Sequence, residues 1–113
     1  MQDTATNKVK PVPFSFTTGI EKKSLKKQWR GTATIGLYND TQWRISLYVQ
    51  LWKDGHIYTT SSESVKDSAL TVNTKYVSGT NKDQFGVHTD AIIKDDAGVV
   101  VYDNYLESGN PFE

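Results

Sequence analysis

The stretch Trp43-Arg-Ile-Ser-Leu-Tyr-Val-Gln-Leu-Trp-Lys53 decides the fold, because its residues alternate in character without a break. Successive side chains of an extended strand point to opposite faces, whereas a helix would scatter these apolar residues around its circumference. The pattern predicts a long strand with one buried and one wetter face. The buried set is Trp43, Ile45, Leu47, Val49 and Leu51, and the wetter set is Arg44, Ser46, Tyr48, Gln50 and Trp52.

Segments of strand character lie on both sides of this stretch and are separated by turn residues. Short alternating runs between Gly, Pro, Asn, Asp and Ser clusters are typical of antiparallel strands. The sequence therefore predicts an all-β fold, an antiparallel β-sandwich or flattened barrel of about six to seven strands. The other expected strands are 13–18, 29–38, 59–66, 69–77, 85–93 and 99–105.

Two turns carry expectations about strand pairing. Asn39-Asp40-Thr41 has turn chemistry, so strands 29–38 and 43–53 are expected to form an antiparallel hairpin. At Asp54-Gly55 we prefer a three-residue loop to a two-residue one, because it places Ile57 opposite Leu51 over the core. That register also puts Tyr58 opposite Gln50 on the outer face.

Composition sets the size of the fold and excludes several chemistries. A chain of 113 residues forms one domain with a real core. The chain has no cysteine, which excludes disulfides, thiol catalysis and zinc-thiolate sites. Residues 1–11 predict a flexible polar N-terminal tail, and 12–113 a single all-β domain. An unbroken Val-Val-Val-Tyr run at 99–102 predicts a strand buried on both faces for part of its length.

The sequence shows neither a membrane span nor a signal peptide. Its composition, rich in Ser, Thr, Asn and Gly, is typical of small exported bacterial proteins. We therefore expect an extracellular protein, a mature exported fragment with an added initiator Met. A cytoplasmic protein is the alternative, since a chain without cysteine fits either compartment.

Charge is balanced overall but unevenly distributed along the chain. Residues 1–56 hold nine Lys and Arg against four Asp and Glu, and residues 57–113 hold four against nine. This balance does not predict nucleic-acid binding. A basic cluster around Leu25 is expected to form a helical turn or an irregular loop with weak affinity for anionic surfaces. Its lysines are Lys22, Lys23, Lys26 and Lys27.

Catalytic and metal-binding patterns are missing from the sequence. His88 and Asp90 are spaced to share a strand face, but a zinc or iron site needs three or four ligands, and the sequence supplies no others. It contains no Gly-x-Ser-x-Gly elbow, phosphate loop or calcium loop. We therefore expect no enzyme activity, no cofactor and no metal.

The wetter face of the central hairpin is the candidate site. Tyrosine and tryptophan give a large contact area with few rotatable bonds, which suits a binding surface. We expect one aromatic platform with a cationic neighbour, binding a protein or a surface glycan. The candidate residues are Tyr38, Arg44, Tyr48, Trp52 and Tyr58.

The function expected from these features is a non-catalytic exported bacterial binding protein that recognises a partner or surface polymer. The first alternative is a small secreted toxin or enzyme inhibitor, acting through an edge strand or through the basic segment 22–30. A second alternative is a structural subunit that adds strands edge to edge.

Overall fold

The computed structural model describes residues 13–109, and the predicted tail 1–11 lies outside them. Two antiparallel four-stranded sheets pack against each other, which confirms the predicted all-β sandwich. No helix long and apolar enough to cross a membrane occurs in the described range. The strands of that range are β1 (Phe14–Lys23), β2 (Gln28–Leu37), β3 (Trp43–Lys53), β4 (His56–Asp67), β5 (Ala69–Asn73), β6 (Val77–Ser78), β7 (Phe85–Lys94) and β8 (Val100–Gly109).

The two sheets contact each other along both sides of the sandwich. The β2 sheet has the order β1-β2-β5, with the short β6 also paired to β2, and the β3 sheet has the order β4-β3-β7-β8. At Ser68 the chain passes from β4 in one sheet to β5 in the other. On the opposite side β1 packs against β8. There the Tyr102 ring contacts Phe14 and Phe16, at centroid distances of 4.8 and 6.1 Å.

The inward side chains of β3 form the centre of the core. Ile45, Leu47, Val49 and Leu51 are each at most 1% exposed, and half-buried Trp43 extends the same row. Each such aliphatic side chain contributes about 1.5–3 kcal/mol when it leaves water. The predicted alternation of β3 is therefore confirmed. Facing them are Ala33, Ile35 and Leu37 of β2, and beside them lie Val87, Ala91 and Ile93 of β7.

Two glycines allow close approaches in this core. A Cβ on Gly31 would lie 3.0 Å from Val87 Cγ2 and 3.2 Å from Val49 Cγ1, so its missing side chain lets β2 approach the β3 sheet. Gly79 lies against Trp29 and Phe85, whose rings stack at a centroid distance of 4.6 Å. This aromatic pair closes one end of the sandwich.

The expected hairpin between 29–38 and 43–53 is wrong, because β2 and β3 belong to different sheets. Asn39 and Asp40 both adopt left-handed backbone conformations, with φ of 63° and 56°, and this turn carries the chain across the sandwich. Both strands have an apolar inward row. Such rows face each other across a sandwich as readily as they lie side by side in a sheet.

The expected three-residue loop after β3 is also wrong. Lys53 pairs with His56, so the loop has two residues, and Asp54 and Gly55 have φ of 50° and 88°. Ile57 consequently pairs with Trp52 and is 49% exposed. A bulge at Tyr58 then restores the inward direction, because it lets Thr59 pair with Leu51. A three-residue loop is needed to bring β4 side chains over the core only if β3 and β4 pair without a bulge. The extra residue in β4, Tyr58, changes which of its side chains face inward.

Three further expectations change. The basic segment is mostly strand, since β1 continues through Gly19 to Lys23 and forms a hairpin with β2, and only residues 24–27 form a turn. The expected strand 69–77 is interrupted after Asn73, which gives β5 and β6. The Val99–Tyr102 run is not buried on both faces, because β8 is an edge strand whose start is exposed.

We predict that Gly79→Ala lowers the free energy of unfolding by roughly 1–3 kcal/mol, as other overpacked sites do. Its Cβ would lie 2.7 and 2.8 Å from Phe85 ring atoms and 2.9 Å from Trp29, and two stacked rings cannot both move away. Urea unfolding followed by tryptophan fluorescence measures the change. Gly19→Ala is the matched control, because its Cβ would have no neighbour within 4 Å. Equal stability of the two variants would contradict this packing.

Candidate functional site

The outward side chains of the β3 sheet form an open surface, called here the outer face. The β2 sheet packs on the opposite side, so within residues 13–109 Tyr48 stays 39% exposed. Register places Tyr48 between Ser62 of β4 and Asp90 of β7. The same register places Gln50 beside His88. The outer face therefore combines rings, hydroxyls, an imidazole and carboxylates.

A cluster of four side chains lies at the β7–β8 side of the outer face. Its members are His88, Asp90, Tyr105 and Glu107, called here the His88 cluster. Register brings them together, since His88 pairs with Glu107 and Asp90 pairs with Tyr105. The imidazole stacks on the Tyr105 ring at a centroid distance of 4.7 Å. Its Nδ1 lies 2.6 Å from Glu107 Oε2, and its Nε2 lies 3.2 Å from Asp90 Oδ1.

The electrostatics of this cluster favour the imidazolium form of His88. Partial burial alone would lower the pKa of His88, but the hydrogen bonds to Glu107 and Asp90 outweigh it and raise that pKa above its usual value. Both ring nitrogens then act as donors, which fixes the plane of the ring. The imidazolium in turn holds the two carboxylates and the Tyr105 ring in one arrangement. These contacts fix the relative positions of the four side chains.

A shallow open depression of about 440 Å³ lies beside the cluster. Ser46 donates to Ser64 across its wall, with an Oγ–Oγ distance of 2.9 Å. Its surface is mainly apolar, with hydroxyls and the Asp90 carboxylate at the rim. A surface of this kind contacts a ligand through ring faces and C–H groups and orients it through hydroxyl hydrogen bonds.

The structure does not bring the five predicted residues together. Arg44 and Trp52 lie at opposite ends of β3, about 27 Å apart for eight residues of strand. Tyr38 follows β2 at the far end of the other sheet, and its amide donates to Pro13 O. Tyr58 lies in the bulge after β3, with Lys53 Nζ 5.0 Å from its ring. The predicted placement of Tyr58 opposite Gln50 is wrong, because Gln50 pairs with Thr60.

Tyr48 is the predicted residue that lies beside the His88 cluster. Trp52 is half-buried on the same face, and its indole Nε1 donates to Gln50 Oε1 at 3.0 Å. Arg44 lies between Lys66 and Lys94, so a basic row marks that end of the face.

Sequence reasoning did not include Tyr105 and Glu107 in the site. Their spacing of two on one strand was the available signal, because it places them on the same face as Asp103. Their proximity to His88 depends on β8 pairing with β7, which alternation along one strand does not specify. In the described range, no group of three or more His, Asp and Glu side chains is arranged to hold a metal ion.

Comparisons with protein families, curated proteins and solved structures found no match to this chain. The function of the outer face is therefore inferred from its own chemistry.

We predict that His88→Gln destabilises the fold at acidic pH and much less at alkaline pH. The pKa of His88 is raised on folding, so its stabilisation is fully present below the unfolded value near 6.5 and fades as pH rises through the folded value. We expect a loss of roughly 1 kcal/mol at pH 5.5, discounted for partial exposure. Urea unfolding at pH 5.5, 7 and 9 measures it. His56→Gln controls for removal of an imidazole, and a pH-independent loss for His88→Gln would contradict the assignment.

Proposed function

We propose that the protein is a non-catalytic exported bacterial binding protein that recognises a surface glycan through the outer face of the β3 sheet. The observation that carries this proposal is the exposed pair Tyr48 and Tyr105, set among ordered acceptors and hydroxyls. Tyr48 pairs with Asp90, which pairs in turn with Tyr105, so the two rings lie on one face in the same cross-strand row, on either side of Asp90. Tyr48 is 39% and Tyr105 52% exposed.

The chemistry of the face suits a sugar. A pyranose presents C–H groups to a tyrosine ring and hydroxyls to the groups around it. Asp90 and Glu107 accept hydrogen bonds, while Ser62 and Ser64 both donate and accept. The depression by Tyr48 is shallow and open, which fits a polymer lying along the strands better than an enclosed small molecule. Export belongs to the same proposal, because surface glycans lie outside the cell.

Charge on the face disfavours nucleic acid as the ligand. Nucleic-acid affinity depends on cations placed against phosphates. Here two carboxylates, of Asp90 and Glu107, surround the single imidazole of His88. Phosphates approaching Tyr105 would meet these carboxylates.

The proposal predicts that Tyr48→Ala and Tyr105→Ala each weaken glycan binding about tenfold or more, as loss of an aromatic anchor does. The measurement is affinity gel electrophoresis against soluble wall and capsule polysaccharides, followed by calorimetry on any polymer that retards the protein. Circular dichroism shows whether each variant remains folded.

Tyr38→Ala is the matched control for this experiment. Its ring is as exposed as that of Tyr105, at 52%, but it lies beyond the end of β2, away from the outer face. We expect its binding to equal that of the unmodified protein. The absence of binding across the whole panel, or an equal loss for Tyr38→Ala, would overturn the proposal.

A further inference from the structure

The turn between β1 and β2 presents a leucine that no other group of residues 13–109 covers. Leu25 is 101% exposed at the tip of the hairpin, and Lys26 N donates to Lys23 O at 3.1 Å to close the turn. Lysines flank it on both sides in sequence. The segment Lys22–Lys27 is called here the basic tip. An isolated exposed leucine is ordinary, but this one lies at an apex next to two exposed lysines, Lys26 and Lys27.

The base of the basic tip is anchored to the body of the protein. Lys22 Nζ donates to Asn81 Oδ1 at 2.9 Å and lies 5.2 Å from the Trp29 ring. Gly79 N donates to Lys27 O at 3.1 Å. Trp29 itself is buried and stacked on Phe85. The apex therefore projects from a packed aromatic base.

Lys27 occupies a backbone conformation that glycine adopts more readily. Its φ is 50°, in the left-handed region where a Cβ is crowded. The side chain is exposed, so packing does not explain a long cation at this position. The feature that lysine adds here is a second exposed positive charge, next to that of Lys26.

Carboxylates at this end of the sandwich are engaged by neighbouring groups. Glu21 accepts from Arg30 Nε at 2.6 Å, and Asp54 accepts from the Gln84 amide at 2.9 Å. Asp83 accepts from the Thr80 amide at 2.7 Å and lies 3.7 Å from Lys53 Nζ. Lys22 Nζ is held by Asn81 and Lys23 Nζ lies 4.1 Å from the Tyr76 ring, so the exposed Lys26 and Lys27 are the charges that a partner meets first.

We propose that the basic tip docks the protein onto an anionic lipid bilayer. Leu25 enters the boundary between headgroups and acyl chains, Lys26 and Lys27 contact lipid phosphates and carboxylates, and Lys22 and Lys23 add positive potential at the base of the tip. An apolar apex favours a bilayer over nucleic acid, since a phosphate backbone offers it no apolar surface. The tip lies at the end of the strands and the outer face along their side, so docking does not depend on the glycan proposal.

Co-sedimentation of the full chain with vesicles tests this proposal. Vesicles of phosphatidylcholine alone are compared with vesicles that contain about one third phosphatidylserine. We expect binding to the anionic vesicles at 50 mM salt, weaker binding at 300 mM, and none to the neutral vesicles. Leu25→Ser should lower the affinity about tenfold and Lys26→Glu by at least about fivefold. Tyr48→Ala, on the outer face, should leave vesicle binding unchanged.

Two further variants separate docking from folding and from net charge. Lys27→Gly should weaken vesicle binding about fivefold while its thermal midpoint stays the same or rises, because glycine relaxes the left-handed residue. Lys94→Glu makes the same charge change as Lys26→Glu, at an exposed site near the other end of the strands. We expect it to bind as the unmodified protein does.

Three results would overturn the proposal. One is the failure of anionic vesicles to sediment the protein. Another is equal loss for Lys94→Glu and Lys26→Glu, which would assign the effect to net charge. The third is undiminished vesicle binding by Leu25→Ser together with salt-sensitive binding to single-stranded DNA, which would assign the tip to polyanions in general.

Discussion

The contact between the inward row of β3 and the β2 sheet is the constraint on which the rest of the structure depends. Ile45 and Val49 are fully buried, and Gly31 lets the backbone of β2 come close to this layer. Once this row is buried, the side chains between its members must point outward. The position of Tyr48 on an open face is therefore a consequence of packing in the core.

Much of the fold could be predicted from alternation, because burial imposes a period of two on a strand. The inward residues of β3 and β7 follow it closely, and the sandwich is their joint result. The placement of β2 and β3 in different sheets, the turn after Lys53 and the exposure of Val99 and Val100 could not be predicted. Alternation does not tell which strands are neighbours, and the single extra residue at Tyr58 reverses parity.

Only the part of the candidate site that lies on β3 could be predicted from the sequence. Tyr48 was found because it belongs to the β3 pattern, whereas Tyr105 joins it through the order β3-β7-β8. The same framework carries two surfaces of different electrostatic character. The β7–β8 side of the outer face has carboxylates beside His88, and the basic tip has exposed lysines next to Leu25. We propose ligands of different chemistry for the two surfaces, a glycan for the outer face and an anionic bilayer for the basic tip.

A scan of aspartate substitutions along β3, read by urea unfolding, tests the central claim most directly. We expect the loss of unfolding free energy to alternate between large and small from one residue to the next. Leu47→Asp and Val49→Asp should lose several kcal/mol or fail to fold, because each buries an unpaired charge, whereas Ser46→Asp and Gln50→Asp should each lose less than about 1 kcal/mol. Losses of unfolding free energy of similar size at odd and even positions would contradict the burial of one face of β3.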